Sequence, residues 1–189
     1  MLPGSDFAAL SAPELVEQLG DPHRYFTAQQ RLLALGPDAA EPARDGLRHR
    51  DPRVRARCCK ILDHVMDAAS TPALLAALDD PVAEVRIEAL HALACDRCKS
   101  DSTCRPAAVD VLPPAMALLR ADPDPHARAM AVELVGAWVH THPEAVHAID
   151  VAAAGDPAPA VRKKARWYAP GGTVYRRTAP KGHRAAQRT

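Results

Sequence analysis

The chain has 189 residues, of which 48% are apolar but only 4% aromatic, and its formal net charge is +1. This length suits one domain with a substantial core and leaves too little chain for two. Because aromatic residues are few, the core must be built from Ala, Leu and Val, which favours helices. No stretch has the length of a membrane span, and residues 1–20 lack the basic and apolar regions of a signal peptide. We therefore expect a cytoplasmic protein that does not bind membranes.

A short pattern recurs along the chain, consisting of Asp-Pro, a spacer, an apolar residue and then usually Arg. It begins at Asp21, Asp51, Asp80, Asp122 and Asp156, and only the first copy lacks the Arg. Aspartate can cap the free amides at a helix start, and proline fits the first helical position because its φ angle is already set. Each copy therefore predicts the second helix of a helix pair, and the amphipathic stretch before it predicts the first.

The spacing of these copies indicates a repeat architecture. The apolar residue recurs after 31 residues between Val54 and Val85, and after 34 between Ala127 and Val161. A repeat of this length is typical of solenoids, in which each unit buries its apolar face against its neighbours. The sequence predicts an all-α solenoid of about five helix pairs within 1–168, with the pairs near residues 12–36, 37–67, 70–95, 106–140 and 142–168.

Two stretches carry a resemblance to a known family. The sequences DPVAEVRIEALHAL at 80–93 and DPAPAVRKKA at 156–165 resemble HEAT repeats, in particular the short bacterial variety grouped with phycobilisome-lyase-type repeats. The resemblance covers about residues 11–168 and implies a right-handed superhelix. It also implies that Asp and Arg residues of neighbouring units pair into a ladder along the stack. A structural role is then expected for Arg55, Arg86, Arg128 and Arg162.

One interval in the repeat is longer than the others and is rich in cysteine. Val85 and Ala127 are 42 residues apart, and the surplus falls in a loop at 95–105 that holds Cys95, Cys98 and Cys104. The Cys-x2-Cys spacing lets two thiolates hold one ion, and a histidine one helical turn earlier shares the face of the first cysteine. The sequence predicts a structural zinc site whose ligands are His91, Cys95, Cys98 and Cys104.

Several alternatives to this site remain open at the level of sequence. His64 rivals His91 as the fourth ligand, because it has the equivalent rank in the preceding unit. The loop also carries Arg97, Lys99 and Arg105, which would favour reactive thiolates or a disulfide in place of a metal. An iron–sulfur cluster would need a further soft ligand nearby. Cys58, by contrast, occupies a position held by Ala in three other units and is expected in the core.

A local run of basic residues allows two interpretations. It could form the solvated corner between two helices, or it could contact phosphates, as basic faces of HEAT-like stacks do in some DNA-repair glycosylases. No nucleophile motif, phosphate-binding loop or catalytic pair of carboxylates accompanies it. The run comprises Arg44, Arg48, Arg50, Arg53, Arg55, Arg57 and Lys60.

The C-terminal region differs in charge from the rest of the chain. Residues 1–161 contain 15 Lys and Arg against 23 Asp and Glu, whereas residues 162–189 contain nine basic residues and no acidic one. We expect residues 169–189 to form a basic cap and, from about residue 179 onward, a disordered tail, with TVYRR as a short extended segment. The aromatic cap is predicted from Trp167, Tyr168, Val174 and Tyr175. The predicted partner-binding residues are Lys163, Lys164, Arg166, Arg176, Arg177, Lys181 and Arg184.

These patterns favour a non-catalytic scaffold or adaptor that binds an anionic macromolecule, either an acidic protein or a nucleic acid, and no small-molecule substrate. Zinc is the only cofactor they predict. The first alternative is a HEAT module that binds DNA or RNA. The second is an enzyme of a HEAT-related class, with glycosylase-like or bilin-lyase-like activity.

Overall fold

The computed structural model describes residues 9–95 and 106–180, and within these ranges the chain is helical and contains no strand. The predicted all-α class is therefore confirmed, and each predicted pair contains two helices. Besides a short 3-10 turn at Gly36–Ala39, the helices are α1 Ala12–Gln18, α2 Tyr25–Leu35, α3 Ala40–Gly46, α4 Pro52–Val65, α5 Ser70–Ala77, α6 Ala83–Ala94, α7 Ala108–Ala121, α8 Pro125–Gly136, α9 Pro143–Gly155, α10 Pro159–Tyr168 and α11 Thr173–Thr178.

The helices stack in two layers. In one layer α4, α6, α8 and α10 pack on one another in chain order, and in the other α1 packs on α3, α3 on α5, and α7 on α9. The small residues predicted to lie between units are fully buried, namely Cys58, Ala89, Ala131 and Ala165. Because each unit covers the apolar face of the next, the helix pairs form a solenoid with a continuous core.

The repeated aspartates begin the second helices in two different ways. Asp51 is a true cap, since its side chain accepts a hydrogen bond from the Arg53 amide. Asp80, Asp122 and Asp156 instead lie two residues before the capping position, where each Oδ1 accepts a bond of 2.8–2.9 Å from the amide two residues ahead. The prediction that every repeated aspartate caps its helix is therefore wrong for these three, and also for Asp21, because Arg24 lies at the capping position of α2. In Asp80, Asp122 and Asp156, both carboxylate oxygens also accept a bond from an arginine of the preceding unit.

Arginines of each unit bind the repeated aspartates of the next unit, and we call these ion pairs the arginine–aspartate ladder. Each guanidinium meets its carboxylate through two parallel bonds of 2.6–3.0 Å, and its third nitrogen donates to the carbonyl oxygen six residues earlier at 2.8–2.9 Å. Bidentate bonds between charged groups are among the strongest in proteins. The ladder that the sequence predicted is confirmed, and its pairs are Arg55–Asp80, Arg86–Asp122 and Arg128–Asp156.

The ladder predicts that the stability of the fold decreases at acidic pH. Burial alone would raise the pKa of the Asp80, Asp122 and Asp156 carboxyls, but bonds from the arginine and a backbone amide outweigh burial and hold each pKa below its ordinary value. A group whose pKa is lowered by folding stabilises the fold above its unfolded pKa, and this contribution is lost as pH falls through the folded pKa. We expect the melting temperature, followed by circular dichroism, to change little from these groups above about pH 5 and to fall steeply below about pH 4. A melting temperature that stays constant to about pH 2 would contradict this expectation.

Close packing between α8 and α10 predicts that even a small added side chain at their contact destabilises the fold. Gly136 is buried at the end of α8, and a methyl group added there would collide with the Tyr168 ring of α10. Gly136→Ala should lower the free energy of unfolding by about 1–3 kcal/mol, although alanine favours helices. Gly155→Ala is the matched control, because an added methyl group at Gly155 meets no atom within 4 Å. Urea denaturation should show a stability that is unchanged or slightly raised for the control, and equal losses in both variants would refute the packing argument.

Candidate functional site

Three potential metal ligands meet where α6 packs against α4. They are Asp63 of α4, His91 of α6 and Cys95 directly after α6, and their ligand atoms all lie within 4.8 Å of one another. His91 Nε2 is 3.7 Å from Asp63 Oδ2. The structure thus brings together the two predicted ligands that it describes, as expected for residues one helical turn apart, and it adds an acidic residue that the sequence reading missed.

The remaining predicted ligands are placed differently. Cys98 and Cys104 lie outside the described residues. His64 is half-exposed, with its Nε2 4.0 Å from Asp63 Oδ2, and it does not belong to the group of three. Of the two histidines weighed from the sequence, His91 is therefore the one that lies beside Cys95.

Asp63 is an unusual member of this cluster because it is buried. The residue is only 4% exposed, and its Oδ1 has no hydrogen-bond partner among the described residues. An ionised carboxylate removed from water without compensating bonds is unfavourable. The sequence contained one signal for this position, since Asp63 follows the buried Cys59 by four residues and so lies on the same face of α4.

The two cysteines of α4 are core residues. Cys58 and Cys59 are fully buried, and burial raises the pKa of the Cys58 thiol to about 12 and that of Cys59 further still. Thiols with such pKa values stay protonated at neutral pH, and it is the thiolate that acts as nucleophile or metal ligand. The prediction that Cys58 fills a small core position is confirmed.

The basic run around α3 and α4 is largely neutralised within the chain. Arg44 pairs with Asp67 at 2.5 Å, Arg53 with Asp51 at 2.7 Å, and Lys60 with Glu88 at 3.1 Å. The Arg57 guanidinium lies 3.7 Å from the centroid of the Tyr25 ring. These contacts fit the interpretation of the run as a solvated structural corner better than its interpretation as a phosphate-binding surface.

The C-terminal region folds back as an additional helix. The segment TVYRR lies in α11, so its prediction as an extended strand is wrong. Tyr175 packs against the core with its ring 4.4 Å from that of His140, and Tyr168 is likewise partly buried, as predicted for a cap. Trp167 is 41% exposed and contributes less to the cap than the sequence suggested. The predicted disordered tail from 179 onward lies almost wholly outside the described residues.

The helices α10 and α11 bring most of the predicted partner-binding residues together, because they pack on each other. Lys163, Arg166, Arg176 and Arg177 are exposed, and none forms an ion pair with an acidic residue within 9–95 or 106–180. Lys164 differs, since it pairs with Glu133 of α8. Lys181 and Arg184 lie outside the described residues. We call the four exposed residues the basic end surface.

Arg162 lies beside this surface at the end of the ladder. It donates to the Asp156 carbonyl at 2.5 Å, as its counterparts do in earlier units. Unlike them it has no aspartate partner in the described part of the chain. Within the described residues, the ladder therefore ends on the guanidinium of Arg162.

Two further observations bear on function. Three cavities of the described part have volumes of about 170 to 350 Å³, at or below the low end for small-molecule sites. None of the described helices combines the length and the apolar character needed to cross a membrane.

Comparison with known proteins supports the repeat architecture. A family model described as HEAT repeats matches residues 12–94. A solved structure of the complex of CpcE and CpcF of phycocyanin lyase from Nostoc sp. PCC7120 is similar in fold, with a TM-score of 0.67 and 20% identity. The match covers 86% of this chain and 99% of that one. No curated protein matches the sequence.

Proposed function

We propose that this chain, whose residues 12–94 match a family model of HEAT repeats, is a non-catalytic scaffold that binds an acidic protein through its basic end surface. HEAT solenoids use extended surfaces for binding because each repeat contacts only its neighbours. The structural neighbour is itself a complex of two proteins, which supports a protein as the partner.

The observation that carries the proposal is the concentration of uncompensated positive charge at one end of the solenoid. Lys163, Arg166, Arg176 and Arg177 are exposed on two helices that pack together. Elsewhere in the described ranges most arginines and lysines lie in the ladder or in local ion pairs. The exposed Arg31, Arg50 and Arg120 lie on separate elements and do not form a cluster. A surface with one sign of charge attracts partners of the opposite sign and guides their approach.

The open end of the ladder indicates what such a partner would offer. Arg162 presents the same guanidinium that in three earlier units receives an aspartate from the next unit. A partner carboxylate at this position would complete a bidentate pair of the type already present along the stack. The proposed partner therefore places an Asp or Glu against Arg162 and further acidic residues against the basic end surface.

Binding to a nucleic acid is the second candidate, and one observation favours it. Trp167 is 41% exposed, and Lys163 Nζ lies 5.8 Å from the centroid of its ring. An exposed aromatic ring among basic residues can stack on a base while the cations contact phosphates. We favour the acidic protein because Arg162 presents the guanidinium that in three earlier units pairs with an aspartate carboxylate.

Catalysis is a third possibility, based on the likeness in fold to a structure of phycocyanin lyase. A bilin-lyase-like activity would need a site for a large chromophore. The cavities described above, at about 170 to 350 Å³, are small for such a ligand. We therefore keep the scaffold as the proposed function.

Titration of the full chain with two anionic probes at low salt tests the proposal. We expect poly-glutamate to bind and a random single-stranded RNA of equal charge to bind more weakly. Tighter binding to the RNA would favour the nucleic-acid module. Binding of neither probe would refute the basic end surface as the docking site.

A further inference from the structure

We infer that Asp63, His91 and Cys95 form a zinc site that links two successive repeats, independently of the partner proposed above. Asp63 belongs to α4, whereas His91 and Cys95 belong to the end of α6. The site differs from the one that the sequence predicted, because its acidic ligand comes from the neighbouring unit. An ion held here would tie the second helices of the two units together.

The separations of the donor atoms suit a tetrahedral ion. Zinc lies about 2.0–2.2 Å from oxygen and nitrogen ligands and about 2.3 Å from sulfur, so two tetrahedral ligands are roughly 3.4 Å apart. His91 Nε2 and Asp63 Oδ2 are 3.7 Å apart, and the remaining separations are at most 4.8 Å. Small side-chain rotations would bring the three atoms onto one ion. His91 has a half-exposed side chain, which gives the ion a path from solvent.

The chemistry of the three donors selects the ion. A carboxylate oxygen, an imidazole nitrogen and a thiolate sulfur together suit zinc, whereas magnesium and calcium prefer sites made of oxygen alone. The carboxylate and the thiolate would balance the two positive charges of the ion, and the imidazole binds as a neutral ligand. Three protein ligands leave one tetrahedral position for water or for another donor.

The buried carboxylate is the observation that points to a bound cation. Asp63 is only 4% exposed, and its Oδ1 has no hydrogen-bond partner among the described residues. The other charged residues of comparable burial, Arg86, Asp122, Arg128 and Asp156, are all paired in the ladder. Among the described residues no Lys or Arg pairs with Asp63, and a zinc ion at this site would supply a compensating charge.

Asp63→Asn tests the inference, because it keeps the shape of the side chain and removes its charge. We expect the purified full chain to bind one equivalent of zinc in competition with a chromogenic chelator. In the Asp63→Asn variant, zinc affinity should fall at least about tenfold, which is the lower limit seen when even an outer partner of a ligand is lost. Asp79→Asn is the matched control, since it makes the same change at an exposed carboxylate, and it should leave zinc affinity unchanged.

Thermal stability gives a readout that separates metal binding from misfolding. Zinc should raise the melting temperature of the wild type and of Asp79→Asn, because an ion that binds only the folded state stabilises it. It should raise that of Asp63→Asn much less. Without zinc, Asp63→Asn should melt no lower than the wild type, since it removes a buried charge that pairs with no Lys or Arg of the described residues.

The absorption spectrum of bound cobalt(II) identifies the ligands of the site. Cobalt(II) bound by Cys95 should give a thiolate charge-transfer band, and this band should disappear in Cys95→Ser and weaken in Asp63→Asn. Equal zinc affinity in the wild type and Asp63→Asn would overturn the inference. So would a loss of affinity in Cys98→Ser that Asp63→Asn does not share, because it would return the site to the ligands predicted from the sequence.

Discussion

Arg86→Met is expected to lower the free energy of unfolding by about 3–5 kcal/mol, the range measured when one partner of a buried ion pair is removed. The variant would leave the Asp122 carboxylate, whose side chain is 1% exposed, without its bidentate partner. It would also remove the donor to the Asp80 carbonyl. Urea denaturation followed by circular dichroism measures this loss, provided that the slope of the transition is unchanged.

A surface pair in the same protein supplies the control. Arg53 is 57% exposed, and its ion pair with Asp51 has a distance of 2.7 Å, similar to the 2.7 Å of the Arg86–Asp122 pair. Arg53→Met should therefore cost much less than Arg86→Met, because water screens exposed pairs. Similar losses in the two variants would show that burial adds nothing to the ladder.

A double variant separates the pair interaction from the penalty of an unpaired charge. Replacing both Arg86 and Asp122 by apolar residues of similar size often restores most of the stability lost in a single variant. We expect Arg86→Met/Asp122→Leu to be more stable than Arg86→Met alone. The recovery should be incomplete, because Asp122 also accepts a bond from the Asp124 amide at 2.8 Å. A double variant less stable than the single one would indicate that the loss arises from local packing.

The ladder and the helix pairs could be predicted because their determinants are local and repeated. Each copy of the Asp-Pro pattern specifies a helix start, and its arginine always lies six residues after the carbonyl that it contacts. A helix start that is misassigned in one unit can be corrected by comparison with the other copies of the pattern. The prediction that Asp80 caps its helix was wrong for a related reason, since the spacer after Pro81 moves the helix start by two residues without changing the pattern.

The metal cluster and the terminal helix depend on contacts that no repeat encodes. Asp63 and His91 meet only because α4 and α6 pack in one register, and the sequence offers no second copy of this contact. In the segment of α11, Thr173, Val174 and Tyr175 have the intrinsic preferences of a strand. Packing of Tyr175 on His140 at the end of the stack favours a helix instead, so tertiary contacts override the local preference.

The basic end surface predicts a large effect of its four charges on binding to an acidic partner. Changing Lys163, Arg166, Arg176 and Arg177 together to glutamine should weaken poly-glutamate binding at least about fourfold, because each exposed charge pair contributes about 0.2–1 kcal/mol. All four side chains are exposed on α10 and α11, so the variant should fold normally. Binding is measured by fluorescence anisotropy with labelled poly-glutamate over a range of salt concentrations.

A variant with the same change in net charge provides the control. Arg31, Arg48, Arg50 and Arg120 are also exposed but lie away from α10 and α11, and changing them to glutamine should affect binding much less. If the two fourfold variants weaken poly-glutamate binding equally, the overall charge of the protein determines binding and the basic end surface is not a docking site.

A titration with RNA distinguishes the two kinds of partner. Four lost phosphate contacts would reduce the slope of log affinity against log salt concentration by roughly 2.8 for a single strand. A slope that changes by this amount in the first variant alone would identify the same surface as a nucleic-acid interface and replace the acidic protein with RNA as its partner.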